Sequence, residues 1–178
     1  MQEHMLSTPV YQNLHDLQIQ HGKTIFLVQS SQAMAVQNLQ QKMQDADMEN
    51  FFLFQDSATW AEQLHTRITQ RLNQVQAGWH AVICGDEYFI WVADAALRQV
   101  GFLKDEMARV FMTGKRQVYC VHCFNMQSST AENFCQCENC GVDLMIRTHF
   151  SERLGAYMGV CANAESLGKP DAKEVSHV

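Results

Sequence analysis

The chain has 178 residues, 47% hydrophobic and 10% aromatic, which places it among globular proteins with a true core, either one domain or a small domain with an appended module. Nineteen acidic residues against thirteen basic give a formal charge of −6, which argues against a phosphate-tracking partner and disfavours nucleic acid. No apolar run approaches the ~20 residues needed to cross a bilayer, the opening residues lack a leader pattern, and seven cysteines fit a reducing compartment. No membrane contact and a cytoplasmic location are therefore expected.

Residues 1–23 are polar and without clear period, and they read as a lead-in. Thr24–Gln29 (TIFLVQ) is a short apolar run of strand type. Ser30 and Ser31 suit the N-cap of a helix over residues 33–43, where Val36, Leu39 and Met43 recur at spacings of three and four. Phe51–Phe54 (FFLF) is the next strand, and Asp56 and Ser57 offer caps for a second helix. In that helix Trp60, Leu64, Ile68, Leu72 and Val75 form an apolar stripe. Gly78 ends it. A third strand follows over residues 79–84 (WHAVIC), a third helix over 88–100 closed by Gly101, and a fourth strand over 107–112. Strands alternating with helices of this length predict an α/β fold, a small and mostly parallel sheet with flanking helices, partly Rossmann-like, spanning residues 24–113.

Ligands of open parallel sheets sit at the carboxyl ends of strands, here at Cys84-Gly85-Asp86-Glu87. The run HAVICGDEYFIWVADAALRQVG, followed by KDEMARVFM, resembles the terminal part of the pyridine-nucleotide domain of ferredoxin-reductase-type flavoproteins, whose pattern is strand, Cys-Gly-Pro, helix, Gly and last strand. The resemblance covers about thirty residues and implies a nucleotide contact at Cys84, Gly85 and Asp86. Asp86 replaces the usual proline and brings a negative charge to where a nucleotide would lie. The stretch from Lys23 to Ala77 also lacks the glycines that let a backbone approach a pyrophosphate. The turn reads either as such a contact or as a βα turn that uses Gly85 for geometry alone.

After a short joint at Gly114, Lys115 and Arg116 come Cys120-x-x-Cys123 and, after thirteen intervening residues, Cys137-x-x-Cys140. Two such pairs at this spacing make a tetrahedral four-thiolate site, each pair presenting two sulfurs from a tight turn. Gly141 suits the positive φ that a knuckle needs, and Val142, Leu144 and Ile146 alternate with Asp143, Met145 and Arg147, the period of a strand with one covered face. This is a zinc ribbon in outline. Zinc is the default occupant and its role structural, since a closed shell leaves no position for substrate; iron in a rubredoxin-like site takes the same ligands. Cys135 lacks the two-residue spacing to Cys140, His122 lies between two ligands where side chains turn outward, and His149 suits a surface or packing position at a strand end. Lys115, Arg116, Arg147 and Arg153 balance Glu132, Glu138, Asp143 and Glu152, so the ribbon is neutral.

The two cysteine pairs with the continuation Thr148-His149-Phe150-Ser151-Glu152-Arg153-Leu154-Gly155-Ala156-Tyr157-Met158-Gly159-Val160 resemble the C-terminal domain of the DmmA-like small subunit of dimethylamine monooxygenase. HFSERLGAYMGV is the specific part. The resemblance implies a multi-subunit, NAD(P)H- and O2-dependent amine monooxygenase that demethylates dimethylamine oxidatively to methylamine and formaldehyde. It places haem, flavin and an iron–sulfur cluster on partner subunits, with NADPH a candidate cofactor of the complex. The chain itself shows no haem-attachment sequence, plant-type iron–sulfur spacing, dinucleotide fingerprint or nucleophile constellation, which agrees with a non-catalytic or electron-transfer-supporting subunit. His149, Phe150, Arg153, Tyr157 and Met158 then read as a docking segment closing a module over residues 114–160, or as a segment folded back on its own sheet, and residues 161–178 as a flexible tail. A stand-alone zinc-ribbon adaptor is the alternative reading.

Overall fold

A computed structural model describes residues 8–29, 33–55, 59–72 and 78–163. Two sheets share one core. The first joins β1 (Thr24–Gln29), β2 (Phe51–Phe54), β3 (His80–Gly85) and β4 (Met107–Phe111) in the order β2-β1-β3-β4, all parallel. Every residue of β1 is buried, as a strand covered on both faces requires. Alternate side chains divide between two layers. Ile25, Leu27 and Ile83 face α3 (Trp60–Leu72) and α4 (Glu87–Gln99), whereas Phe26, Val28, Val82 and Cys84 face α1 (Ala33–Lys42) and the N-terminal segment. The parallel sheet and its flanking helices match the α/β expectation. The four-residue α2 (Asp45–Met48) was not foreseen. The cap positions Ser30, Ser31, Asp56 and Ser57, and Val75, lie outside the described residues.

Residues 8–23 have no period because tertiary contacts order them. Leu14 and Leu17 bury against the second layer, and Tyr11 stacks on Phe111 at 5.1 Å. The Tyr11 hydroxyl donates to Glu87 Oε1 at 2.6 Å and accepts from Trp91 Nε1 at 3.2 Å. Asp47, fully buried, accepts from the main-chain N–H groups of Gly22 and Gln44 and pairs with His21 at 2.7 Å. Burial alone would raise its carboxyl, but these hydrogen bonds hold it below the ordinary value.

The second sheet runs β6-β5-β9-β8-β7, built from β5 (Arg116–Cys120), β6 (Met126–Ser129), β7 (Phe134–Gln136), β8 (Asp143–Ser151) and β9 (Ala156–Cys161). β5 and β9 pair parallel and the remaining neighbours antiparallel. α4 lies between the sheets and carries the joint. Its Trp91 meets Phe150 of β8 at 4.9 Å, and Phe150 meets Tyr157 of β9 edge-on at 5.0 Å. Asp94 of α4, 2% exposed, accepts from Arg109 Nε at 2.7 Å and Arg98 Nε at 2.7 Å. Arg98 and Lys104 both reach Glu152 in the turn after β8. A buried carboxylate so paired is tolerated, whereas removing its cations would leave an uncompensated charge.

Glu87, at the first turn of α4, is 1% exposed and has no direct ion pair among the described residues. Its acceptors are filled by Tyr11 and by the main-chain N–H of Gln117 at 2.8 Å, which ties the N-terminal segment, α4 and β5 together. Burial pushes its carboxyl above the usual 4.5, against the lowering effect of those two hydrogen bonds. A raised folded value means that the native state holds the proton longer than the unfolded chain. Glu87 therefore contributes stability that is present below about 4.5 and lost as pH rises through its folded value. Urea titrations of wild type and Glu87→Gln between pH 4.5 and 8 should show wild type losing stability relative to the variant as pH rises. A pH-independent difference would exclude the linkage.

Among the described residues no helix is long and apolar enough to cross a membrane.

Candidate metal centre

β5 delivers Cys120 to a tight turn in which Phe124 N donates to Cys120 O at 2.8 Å and Cys120 N to Asn125 O at 2.8 Å. The second pair repeats this geometry, with Gly141 N donating to Cys137 O and Cys137 N to Val142 O, each at 2.9 Å. The residue after each pair takes a left-handed conformation, φ 65° at Phe124 and 71° at Gly141. Glycine is the expected residue there; phenylalanine is not, since a Cβ in that region costs about 1–2 kcal/mol. The Phe124 ring lies 6.2 Å from that of Tyr119, yet the residue stays 71% exposed.

The two turns face each other. Cys120 and Cys140 sulfurs are 3.8 Å apart, those of Cys123 and Cys137 3.6 Å, and all four lie within 4.8 Å of one another. Four sulfurs about 2.3 Å from a central zinc ion would be roughly 3.8 Å apart, so the donor set fits that ion. A disulfide needs about 2.05 Å, which no pair approaches. Main-chain N–H groups of His122 and Cys123 point to the Cys120 sulfur, that of Asn125 to Cys123 and that of Val142 to Cys140, all favouring thiolates. The Asn139 side chain contributes most at Cys123, whose thiol is pulled down to about 6; burial pushes Cys120 up. Among the described residues this is the one group of three or more such side chains that could hold a metal.

A side chain with no signal in the sequence closes the arrangement. Gln127 of β6, 6% exposed, donates to Gln136 O at 2.8 Å and accepts from Glu138 N at 2.9 Å, so it spans from β6 to β7 and the second turn. Nothing in the polar run MQSS marks it. Gln127→Leu leaves both main-chain groups unpaired, a loss of about 1–3 kcal/mol per group. A lower urea midpoint together with weaker retention of metal against a chelator is expected. Unchanged values in both measurements would remove Gln127 from this role. His122 is exposed, as is His149, and Cys135 lies on β7 with its sulfur 3.8 Å from Gln127 Nε2, outside the four-sulfur group.

Residues 117–160 match the family described as dimethylamine monooxygenase subunit DmmA-like, C-terminal domain. This segment is similar to a DmmA-like C-terminal domain. The chain is also 42% identical over 102 residues to the heme-dependent oxidative N-demethylase delta subunit of Ectopseudomonas mendocina (strain ymp), an alignment covering 55% of this chain and 57% of the relative. The chain thus spans little more than half the length of the curated relative it matches. No solved structure matches it significantly.

The specific run of the DmmA-like domain forms the end of β8, its turn and β9. Phe150 and Tyr157, 4% and 6% exposed, face the chain's own core, Met158 is half-buried, and His149 and Arg153 are exposed. Gly155 and Gly159 do permit close approach, and the approaching groups are Trp91 and the side chains of Val118 and Leu144 of the same chain.

The Cys84-Gly85-Asp86 turn lies far along the first sheet, where the strand order reverses between β1 and β3, the place at which open sheets bind ligands. Its polar groups are engaged internally. Asp86 caps α4 by accepting from Phe89 N at 2.8 Å, while Gln29 at the end of β1 accepts from Asp86 N and donates to Asp86 Oδ2. A Cβ on Gly85 would lie 2.6 Å from Phe89 Cδ1 and 2.9 Å from Gln29 Oε1, so packing alone requires glycine here. Cys84 is buried in the opposite layer, and burial pushes its thiol up to about 12.

Proposed function

We propose that the chain is a small subunit of a heme-dependent oxidative N-demethylase and that Cys120, Cys123, Cys137 and Cys140 hold a structural zinc ion. The observation that carries this reading is the 42% identity to a delta subunit of such an enzyme, beside the match of residues 117–160 of this chain to the DmmA-like C-terminal domain. Zinc would supply cross-linking of the two turns and no redox step. The chain's own residues then hold the hairpins in place through Gln127, Phe150 and Tyr157 and present a surface to partners, with residues 24–113 as scaffold and 114–160 as the DmmA-like module. In this reading haem, flavin and iron–sulfur chemistry reside on partner subunits. The finer proposal is that the assembly uses NAD(P)H and O2 to convert dimethylamine to methylamine, formaldehyde and water.

Co-purification with a tagged chain, followed by metal analysis and a visible spectrum, tests both parts. The expected eluate contains about one zinc per chain, a haem band and partner-dependent demethylation of dimethylamine with consumption of NAD(P)H. A colourless zinc protein that assembles with no haem subunit would shift the reading to an adaptor, and iron with a rubredoxin-like spectrum would make the site redox-active.

A further inference from the structure

An open cleft of about 310 Å³ lies between α3, α4 and the turn joining β8 to β9. Its floor is apolar: Leu64 and Trp91 are buried, Ala96 nearly so, and Ala95 and Leu154 form part of the wall. None of its lining is a buried polar side chain of the kind that orients a small ligand; the polar groups sit on the rim.

The charge of that rim opposes the charge of the chain. Glu152 is shared by Arg98 at 3.2 Å and Lys104 at 2.5 Å. Asp94 is shared by Arg98 and Arg109. Arg153, exposed beside them, has no ion pair or hydrogen-bond partner among the described residues. On the exposed side three cations, Arg98, Lys104 and Arg153, thus meet one carboxylate, Glu152, a local excess of two positive charges (3 − 1) on a protein of net charge −6, with the buried Arg109–Asp94 pair beneath adding none. Asp105 and Glu106, next in sequence to Lys104, line a separate cleft at the amino-terminal ends of β1, β3 and β4.

We infer that this cleft docks a segment of a partner subunit that carries an apolar side chain beside a carboxylate, the apolar group seated over Trp91 and Ala95 and the carboxylate paired with Arg153. Charge complementarity at an exposed rim sets partner choice and association, and reversing a rim charge penalises the right partner. The inference rests on the subunit reading above and deepens it by naming the surface used.

The test uses the full chain assembled with its haem-bearing partner. Arg153→Glu should weaken assembly at least about tenfold and leave the thermal midpoint unchanged, because the wild-type guanidinium has no hydrogen bond or ion pair among the described residues to lose. Lys23→Glu, on an exposed residue away from the cleft, should leave assembly intact. A benzophenone amino acid at position 95 should crosslink in the complex to a partner peptide whose apolar attachment point lies within a few residues of Asp or Glu. If wild type assembles while Arg153→Glu assembles equally well, or position 95 crosslinks to nothing or to a segment without acid, the docking surface is wrong and the subunit reading stands. If wild type gathers no haem subunit, the subunit reading falls and takes this surface with it.

Discussion

With zinc held by the four cysteines as proposed, Cys120→Ser should cost the protein that metal and the order of its second sheet. Cys120 is fully buried at the end of β5, and its sulfur is 3.8 Å from that of Cys140. Structural zinc sites in small peptides contribute apparent binding free energies of about 10–16 kcal/mol, while a whole domain is stable by only about 5–15 kcal/mol. Three ligands and a hydroxyl would not hold the two turns together. The damage should spread, because β8 and β9 also supply Phe150, which packs on Trp91 of α4, and Tyr157, which packs on Phe150. A loss of more than about 4 kcal/mol is expected, which for a chain of this size lowers the melting temperature by roughly 10 °C or more. Metal analysis should fall from about one ion per chain to near none, and a strong chelator should reproduce the effect on wild type. Cys135→Ser is the control, since Cys135 lies outside the four-sulfur group, and it should keep the metal. Full metal content and an unchanged melting temperature in Cys120→Ser would exclude the metal-centred account of this sheet.

Gly155→Ala should be strongly destabilising, because among the described glycines Gly155 combines a positive φ with a close neighbour under 3 Å. Gly155 has φ 63°, and a Cβ there would sit 2.8 Å from Trp91 Cβ, close to the backbone of α4 and without a flexible end to swing aside. The left-handed conformation costs about 1–2 kcal/mol for a residue with a Cβ and the overpacking about 1–3 kcal/mol more. Gly141→Ala provides the comparison. Its φ is 71°, but nothing lies within 4 Å of the added Cβ, so it bears the conformational cost alone. Urea unfolding should place Gly155→Ala well below Gly141→Ala. Equal losses would mean that the β8–β9 turn does not press on α4 as described. Because Arg153 shares this turn, a Gly155→Ala protein that still folds should also assemble poorly with partners.

Local patterns carried much of the fold. Apolar runs of four to six residues separated by helical stripes led to the parallel sheet, and Trp60, Leu64 and Ile68 line one face of α3 as their spacing requires. Gly101 sits at φ 107° just past α4, in keeping with its role as a stop. The paired Cys-x-x-Cys turns also converge as their spacing predicts, since each turn depends on residues within five positions of its first cysteine. Phe124 could have been noticed by laying Cys-x-x-Cys-Phe over Cys-x-x-Cys-Gly.

Other features depend on groups far apart in the chain. Tyr11 finds Glu87 across 76 positions and Trp91 across 80, so no window of residues 8–23 could show that this segment is ordered. Phe150 and Tyr157 have the composition of a contact surface, and only the placement of α4 beside them decides that they face inward. The pairing between β8 and β9 shifts register between Ile146 and Phe150, which breaks the strict alternation from which a covered face is read. Gln29 and Asp86 clasp each other from neighbouring strand ends 57 positions apart. The sequence by itself determined the strands of the first sheet, its longer helices and the cysteine turns, because their causes are short-range. Which faces were covered, and which polar groups were already engaged, was decided by tertiary packing, since burial belongs to the assembled chain and not to any stretch of it.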